Sequence, residues 1–145
     1  MLLSTKGRYG LKAAVDLAAA YGEGATVTLA QLAKSQEISE AYLERLLRLL
    51  RTDGIVAASR GVLGGYMLVV PPGELSVDRV IRALEGTASV TDCVDKAGKP
   101  CKNACTCSAR PLFLTLQNRI DEVLRRTTVQ DLLDDNLSQK RRLEK

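Results

Sequence analysis

Apolar residues recur every three or four positions along most of the chain, which predicts a mainly helical protein. The first predicted helix runs from Ser4 or Thr5 to about Tyr21, and Gly22 and Gly24 end it. Five more helices are predicted, preceded in turn by Thr28, Ser39, Ser76, Ser108 and Thr128. Between residues 87 and 108 the periodicity disappears.

The segment from Thr28 to Val70 has the pattern of a DNA-binding module. A short helix, a tight turn and a helix with a clean leucine stripe follow one another, which is typical of a helix-turn-helix. Two short strands come next, Ile55–Ser59 and Tyr66–Val70, joined by the glycine-rich sequence RGVLGG. The predicted fold is therefore mainly α with a small β-hairpin: a winged helix-turn-helix domain plus a long dimerisation helix.

Four segments follow from this pattern. They are a winged helix-turn-helix domain (1–86), a cysteine-bearing loop (87–108, the cysteine loop below), a dimerisation helix with a short C-terminal helix (109–135), and a polar tail expected to be disordered (136–145). The long helix carries an apolar stripe wider than one small domain needs, which favours pairing with a second copy. The alternative is that this helix folds back onto its own domain. The stripe consists of Leu112, Leu116, Ile120 and Val123.

Composition narrows the function. The 145 residues suit one domain, and the net charge of +4 permits nucleic-acid binding without requiring it. The absence of histidine excludes a Ser-His-Asp triad, a Cys-His pair and an imidazole proton shuttle, so an enzyme is not expected. No transmembrane stretch or signal peptide is recognisable, which predicts a cytoplasmic protein whose thiols stay reduced.

The second helix of a helix-turn-helix lies in the major groove, so its outward side chains are candidate DNA contacts. Arg45 and Arg48 can reach phosphates or guanine edges, and Tyr42 can bond a phosphate or pack on a thymine methyl. Glu44 would discriminate between sites, because phosphate repels a carboxylate. Arg60, at the tip of the wing, can enter a narrow minor groove. The alternative for this helix is an ordinary amphipathic helix with a solvated charged face.

A dimer would place two such helices about 34 Å apart, which matches a palindromic site on double-stranded DNA.

All four cysteines lie within 15 residues of the cysteine loop, at positions 93, 101, 105 and 107. Thiolates in a flexible loop suit an iron–sulfur cluster or zinc. Structural zinc sites favour two pairs of closely spaced cysteines, which this spacing fits poorly. A dithiol redox switch is the third possibility.

Several segments together resemble the IscR family of iron–sulfur cluster regulators. They are STKGRYGLKAAVDLA, ISEAYLERLLRLLRTDGIV, SRGVLGGYML and the cysteine loop, and the resemblance covers residues 2–135. It implies a dimeric winged-helix transcription factor that binds a 2Fe–2S cluster and regulates iron–sulfur cluster assembly genes.

The resemblance also implies roles for individual residues. The cluster cysteines fall on Cys93, Cys101 and Cys107. Glu44 matches a glutamate that helps the apo and cluster-bound forms choose different sites. The positions that match DNA-contacting residues are Ser39, Tyr42, Arg45 and Arg60.

The chain departs from the family at the fourth cluster ligand. The family has a histidine three residues after the last cysteine, where this chain has Arg110. A guanidinium stays protonated and does not ligate iron. The fourth ligand is left open, with Cys105, Asp92, Asp95 or a residue of the partner subunit as candidates.

The sequence thus predicts a homodimeric regulator whose DNA binding is set by a 2Fe–2S cluster. Some relatives lack the cysteines and regulate cysteine metabolism or respond to nitric oxide. The alternative is a thiol-redox, nitric-oxide or zinc-responsive regulator of the same fold without a stable cluster. A further hypothesis, from a different functional class, is a redox or zinc-binding interaction module without regulated DNA binding.

Overall fold

The computed structural model describes residues 3–62 and 64–144, which form six α-helices and one antiparallel hairpin. The helices are α1 (Thr5–Ala19), α2 (Leu29–Gln36), α3 (Glu40–Thr52), α4 (Val77–Glu85), α5 (Arg110–Arg126) and α6 (Val129–Leu143). The strands are β1 (Val56–Ser59) and β2 (Gly65–Leu68). The predicted fold class, mainly α with a winged helix-turn-helix, is confirmed.

Hydroxyl side chains cap five of these helices at their N-termini. Each accepts a hydrogen bond from a backbone N–H of the first turn, which satisfies a donor that has no partner inside the helix. The caps are Ser4, Thr28, Ser39, Ser76 and Thr128. Helix α5 instead follows Ala109 without a side-chain cap and has Pro111 in its first turn, where the missing N–H costs nothing.

The core lies where α1, α3 and α4 meet. The leucine stripe of α3 is fully covered, since Leu43, Leu46, Leu47 and Leu50 are at most 1% exposed. Burying each such side chain stabilises the fold by about 1.5–3 kcal/mol. This packing fixes α3 in rotation about its axis and thereby decides which side chains face outward.

The wing is the hairpin of β1 and β2, in a register that pairs Val56 with Leu68 and Ser59 with Gly65. A third segment, not foreseen from the sequence, joins it: Val27 exchanges backbone hydrogen bonds of 2.9 and 2.8 Å with Tyr66. Gly65 permits this approach, because a Cβ there would lie 2.6 Å from the Val27 carbonyl oxygen. The wing is thereby attached to the start of the helix-turn-helix.

Helices α5 and α6 form the C-terminal part. The chain returns to the winged domain after α5: the Val77 N–H donates to the Thr127 carbonyl at 2.8 Å, and the Val129 N–H donates to the Leu75 carbonyl at 2.8 Å. Val129 is fully buried, and α6 packs on α1.

The prediction of a disordered tail over 136–145 is corrected by α6, which continues to Leu143. A capping box of Thr128 and Asp131 starts this helix, and Lys140, Arg141 and Arg142 lie in its last turn, where cations favour the helix dipole. The polar composition of this segment predicts disorder, because composition does not register the capping box or the cations of the last turn. Within the described residues, no helix is both long and apolar enough to span a membrane.

Candidate nucleic-acid interface and cysteine loop

The outward face of α3 carries the side chains that the sequence predicted to contact DNA. Glu44, Arg45 and Arg48 are exposed, and Tyr42 is half-buried. Ser39 is exposed at the start of the helix, and its hydroxyl accepts from the Tyr42 N–H at 3.2 Å. The capping oxygen still carries a hydrogen that can be donated to a phosphate. Together with Arg60, these residues form what we call the predicted DNA-binding face.

Arg60 lies at the exposed end of the wing, directly after β1. The turn that follows is closed by a 2.9 Å hydrogen bond from the Gly64 N–H to the Gly61 carbonyl. Gly61 has a φ of 107°, which a side chain would strain, and a Cβ on Gly64 would lie 2.6 Å from the Ser59 carbonyl oxygen. These glycines permit the backbone conformation beside Arg60, whose side chain is exposed.

The C-terminal end of α3 is attached to α4 by one arginine. Arg79 donates from Nε to the Asp53 carboxylate at 3.2 Å and from Nη2 to the Asp53 carbonyl at 2.9 Å. Asp53 directly follows the last residue of α3, so a cation here satisfies a carbonyl at the C-terminal end of the helix. The position of α3 thus depends on α4.

The cysteine loop holds its four thiols at different depths. Cys93, Cys101 and Cys107 are half-buried and Cys105 is exposed. Among residues 3–62 and 64–144, no three His, Cys, Asp or Glu side chains lie close enough together to form a metal site. The Cys93 Sγ lies 2.9 Å from the Thr91 Oγ1, in a single 3₁₀ turn formed by Asp92–Val94.

Arg110 holds the backbone of the first cysteine. Its Nη1 donates to the Cys93 carbonyl at 2.7 Å across 17 residues of chain. Arg110, which stands where the family has a histidine, therefore joins the start of α5 to the Cys93 backbone by a hydrogen bond. The sequence showed only that this residue cannot ligate a metal.

The start of the cysteine loop is fixed to α5 by a buried amide. Gln117 is 5% exposed; its Oε1 accepts from the Val90 N–H at 2.7 Å, and its Nε2 donates to the Ala88 carbonyl at 3.3 Å. The same Nε2 donates to Asp121 at 2.8 Å. This attachment was not predicted from the sequence, because Gln117 and Asp121 are polar residues four positions apart, a spacing at which buried helix residues are usually apolar.

Asp121 joins three elements through its charge. It is 4% exposed, and its carboxylate lies 3.6 Å from Arg82 of α4, 3.6 Å from Lys96 of the cysteine loop and 3.8 Å from Arg125 of its own helix. The Arg82 Nε donates to both carboxylate oxygens of Asp78, and this bifurcated hydrogen bond raises the pKa of Arg82 above its usual value. The loop is thus connected to α4, which also carries Arg79.

A second attachment within the loop is made by Asp95. Its carboxylate accepts from the Ala97 N–H at 2.9 Å, and this hydrogen bond holds the pKa of Asp95 below its usual value. Hydroxyl contacts from Ser89 and Thr87 lower that pKa further. Residues 87–97 are therefore tied to one another.

The predicted dimerisation stripe of α5 lies mostly in solvent. Leu112 is 58% exposed, Leu116 is 41% exposed and Val123 is 62% exposed. Ile120 differs from these, because it is half-buried and lines a cavity of about 80 Å³ between α4 and α5. The residues of α5 that are buried are instead Gln117 and Asp121.

Residues 3–135 match the Rrf2 family, described as iron-dependent transcriptional regulators. The chain is 39% identical over 132 residues to the HTH-type transcriptional regulator CymR of Bacillus subtilis, covering 91% of this chain and 89% of that protein. It is 38% identical over 136 residues to the HTH-type transcriptional regulator IscR of Aliivibrio salmonicida, covering 94% and 79%.

Solved structures show the same two relationships. The structure of CymR, the global cysteine regulator of B. subtilis, has a TM-score of 0.77 at 36% identity and covers 92% of this chain and 97% of its own. That of T. potens IscR has a TM-score of 0.75 at 34% identity and covers 94% and 88%. The chain is thus nearly equally similar to both kinds of regulator.

Proposed function

The chain belongs to the Rrf2 family of transcriptional regulators, and from this premise we propose that it is a homodimeric regulator that senses iron–sulfur status through a 2Fe–2S cluster. The genes that we propose it controls are those of iron–sulfur cluster assembly, and we place it in the cytoplasm with its DNA. The observation that carries the proposal is the presence of all four cysteines in one short loop that contacts α5 and is connected to α4 through Asp121.

DNA binding follows from the winged helix-turn-helix, which is a property of the family. We propose that α3 reads the major groove and that Arg60 enters the minor groove beside it. Pairing of the exposed stripe on α5 with a second copy would give the two-fold symmetry of a palindromic operator.

The donor chemistry of the cysteine loop fits a 2Fe–2S cluster, since iron–sulfur centres are held by thiolates. We propose Cys93, Cys101 and Cys107 as ligands, with the fourth supplied by Cys105, an aspartate of the loop or the partner subunit. When bound, the cluster would supply one-electron redox chemistry and cross-link the loop. Arg110 fixes the Cys93 backbone from the start of α5, while residues 98–107 move to bring their thiols together.

The attachments of the loop give a route by which its order affects DNA binding. Lys96 in the loop contacts Asp121, Asp121 contacts Arg82 of α4, and Arg79 of α4 holds the end of α3 at Asp53. We propose that ordering the loop biases the position of α3 through α4 and thereby alters the role of Glu44 in choosing sites.

The ligand assignment is tested by single alanine variants purified without oxygen. Cys93→Ala, Cys101→Ala and Cys107→Ala are expected to lose visible absorption, iron and inorganic sulfide. Cys105→Ala is the matched control: retention of the cluster removes it from the ligand set, and loss makes it the fourth ligand. A full 2Fe–2S spectrum in the three other variants would overturn the assignment.

The DNA-binding part is tested separately with the apo protein and a palindromic duplex selected by the protein from a random pool. Arg60→Ala is expected to weaken binding, and the affinity is expected to fall with salt as phosphate contacts predict. Affinity equal to that of the unaltered protein would exclude Arg60 from the interface.

A second candidate function is a thiol-redox, nitric-oxide or zinc-responsive regulator of the same fold. It is favoured by the similarity to CymR, which is nearly equal to the similarity to IscR. A colourless protein with one zinc per chain would support the zinc-responsive form. DNA affinity that changes with thiol oxidation in a cluster-free sample would support the redox form.

A further inference from the structure

Helix α1 presents two side chains beside the predicted DNA-binding face. The ring of Tyr9 meets the ring of Tyr42 edge to face, with centroids 6.3 Å apart and planes at 87°. The Lys12 Nζ lies 5.2 Å from the Tyr9 centroid, and the Arg45 Cζ lies 5.6 Å from the Tyr42 centroid. A lysine, two tyrosine rings and an arginine thus contact one another in a row that leads from α1 to α3.

We propose that this strip, Lys12–Tyr9–Tyr42–Arg45, extends the DNA-binding surface from α3 onto α1. Lys12 contacts a backbone phosphate beyond the groove that α3 occupies. Tyr9 is a positioning residue, which orients Tyr42 and through it Arg45. The proposal rests on the DNA binding described above and adds a second helix to the interface.

Packing explains why Tyr9 can position its neighbour. Both tyrosines are half-buried and rest against the apolar core, so neither ring is free to turn away from the other. An edge-to-face pair of this kind is favourable beyond the area that it buries. The Tyr42 ring is then held by Tyr9, and Arg45 rests over its face.

Charge explains why the strip suits DNA. Among the described residues, Lys12 and Arg45 have no carboxylate within salt-bridge distance, and the same holds for the exposed Arg8, one turn before Lys12 on α1. By contrast, Arg79 and Arg82 of α4 are each paired with an aspartate. An exposed cation–π contact is weak, so a phosphate contact can replace it.

The test uses fluorescence anisotropy of the full-length apo protein with a labelled 30-bp duplex of random sequence, over a series of salt concentrations. Lys12→Gln is expected to weaken binding and to reduce the salt slope by about 0.9 for each protomer bound, because one phosphate contact is lost. Arg119→Gln is the matched control, since this exposed arginine lies on α5 and pairs with Glu122. Its slope is expected to equal that of the unaltered protein.

The positioning role of Tyr9 has its own readout. Tyr9→Leu is expected to lower affinity about three- to ten-fold, in line with loss of the aromatic pair, while the salt slope stays unchanged. Tyr9→Phe keeps the ring and is expected to restore the affinity. A Tyr9→Leu protein that fails to fold leaves the Lys12→Gln measurement as the deciding one, because Lys12 is exposed.

Failure of the extension onto α1 and failure of DNA binding itself would give different results. If Arg45→Gln weakens binding and Lys12→Gln changes neither affinity nor slope, the extension onto α1 is wrong and the predicted DNA-binding face stands. If the unaltered protein does not bind duplex DNA at any salt concentration, the DNA-binding function itself fails. If Tyr9→Phe binds as weakly as Tyr9→Leu, the positioning role is overturned.

Discussion

Gly7 and Gly10 determine how closely α1 approaches α4. A Cβ on Gly10 would lie 2.4 Å from the Leu84 Cδ1, and one on Gly7 would lie 2.5 Å from the Glu85 Oε1. That Glu85 oxygen accepts from the backbone N–H groups of Ser4 and Gly7 at 3.1 and 3.0 Å, and from the Ser4 hydroxyl. The two glycines of the KGRYG sequence therefore admit both a buried leucine and a carboxylate that satisfies the start of α1.

Gly10→Ala is expected to destabilise the fold by about 1–2 kcal/mol. Overpacking costs about 1–3 kcal/mol, and the better helix propensity of alanine returns up to about 1 kcal/mol. Leu84 is only 2% exposed, so it has little room to move aside. Urea unfolding checks this prediction through the midpoint.

The matched control is Gly73→Ala, because a Cβ there meets nothing within 4 Å. Its stability is expected to stay within about 0.5 kcal/mol of the unaltered protein. Equal midpoints for the two variants would mean that α1 and α4 can separate without cost.

The outward side chains of α3 were predictable from the sequence because leucine periodicity fixes the inward ones. It could not identify Arg110 as a hydrogen-bond donor to the Cys93 carbonyl, since 17 residues separate the two. Tyr9 was missed for the same reason: its contact with Tyr42 crosses from one helix to another. Contacts that depend on tertiary packing leave no local signal.

At the scale of the element, helix starts were predictable because their signals are local. A hydroxyl residue and the N–H groups that it caps lie within four positions of each other. The end of α6 was not predictable from composition, because its stability combines the capping box at Thr128 with packing of residues such as Val129 on the winged domain.

The capping box of α6 gives a pH dependence. Thr128 donates from its backbone N–H and its hydroxyl to Asp131, both at 2.8 Å, and these hydrogen bonds lower the pKa of Asp131. A lowered folded-state pKa stabilises the helix above the ordinary carboxyl pKa of about 4, and the stabilisation is lost as pH falls through the folded value. Hydrogen exchange of α6 amides is therefore expected to quicken below about pH 4, beyond the intrinsic effect of pH.

Asp131→Asn is expected to flatten that dependence, because the side chain no longer titrates. Asp135→Asn, on the exposed side of the same helix, serves as the control and is expected to keep it. Identical pH profiles in both variants would show that α6 does not depend on this box.

Asp121 is the carboxylate that holds α4, α5 and the cysteine loop together. Asp121→Asn is expected to destabilise the protein by about 1–3 kcal/mol, since hydrogen bonds to charged groups contribute about that much. Hydrogen exchange is expected to rise most over residues 88–97, which depend on Gln117 and Lys96 for their attachment.

Glu122→Gln is the control for Asp121→Asn. Glu122 also contacts two arginines, Arg119 and Arg126, but it is 40% exposed, and exposed pairs contribute at most about 1 kcal/mol. If both variants lose the same stability, burial of Asp121 has no special effect.

At the scale of the whole molecule, the return of the chain after α5 decides which surfaces remain open. The sequence predicted an apolar stripe on α5 but left its partner undecided between a second copy and the same domain. The winged domain instead receives Asp121 through Arg82, the cysteine loop receives Gln117, and α6 covers α1. Three leucine or valine side chains of the stripe are left exposed, a surface that fits the proposed dimer better than folding back.

A charge placed on that stripe is expected to separate the dimer. Val123→Glu would put a carboxylate at the interface of each subunit, and two-fold symmetry doubles the effect. We expect the dimer Kd to rise by at least about 100-fold, since an unpaired buried charge costs several kcal/mol. Sedimentation equilibrium measures the dimer Kd directly.

Asn118→Glu, the control, adds the same charge to an exposed position on another side of α5 and is expected to leave the mass of the dimer unchanged. A Val123→Glu protein that stays dimeric at the dilution where the unaltered protein does would show that α5 is not the contact, and the two recognition helices would then need another means of reaching a palindrome.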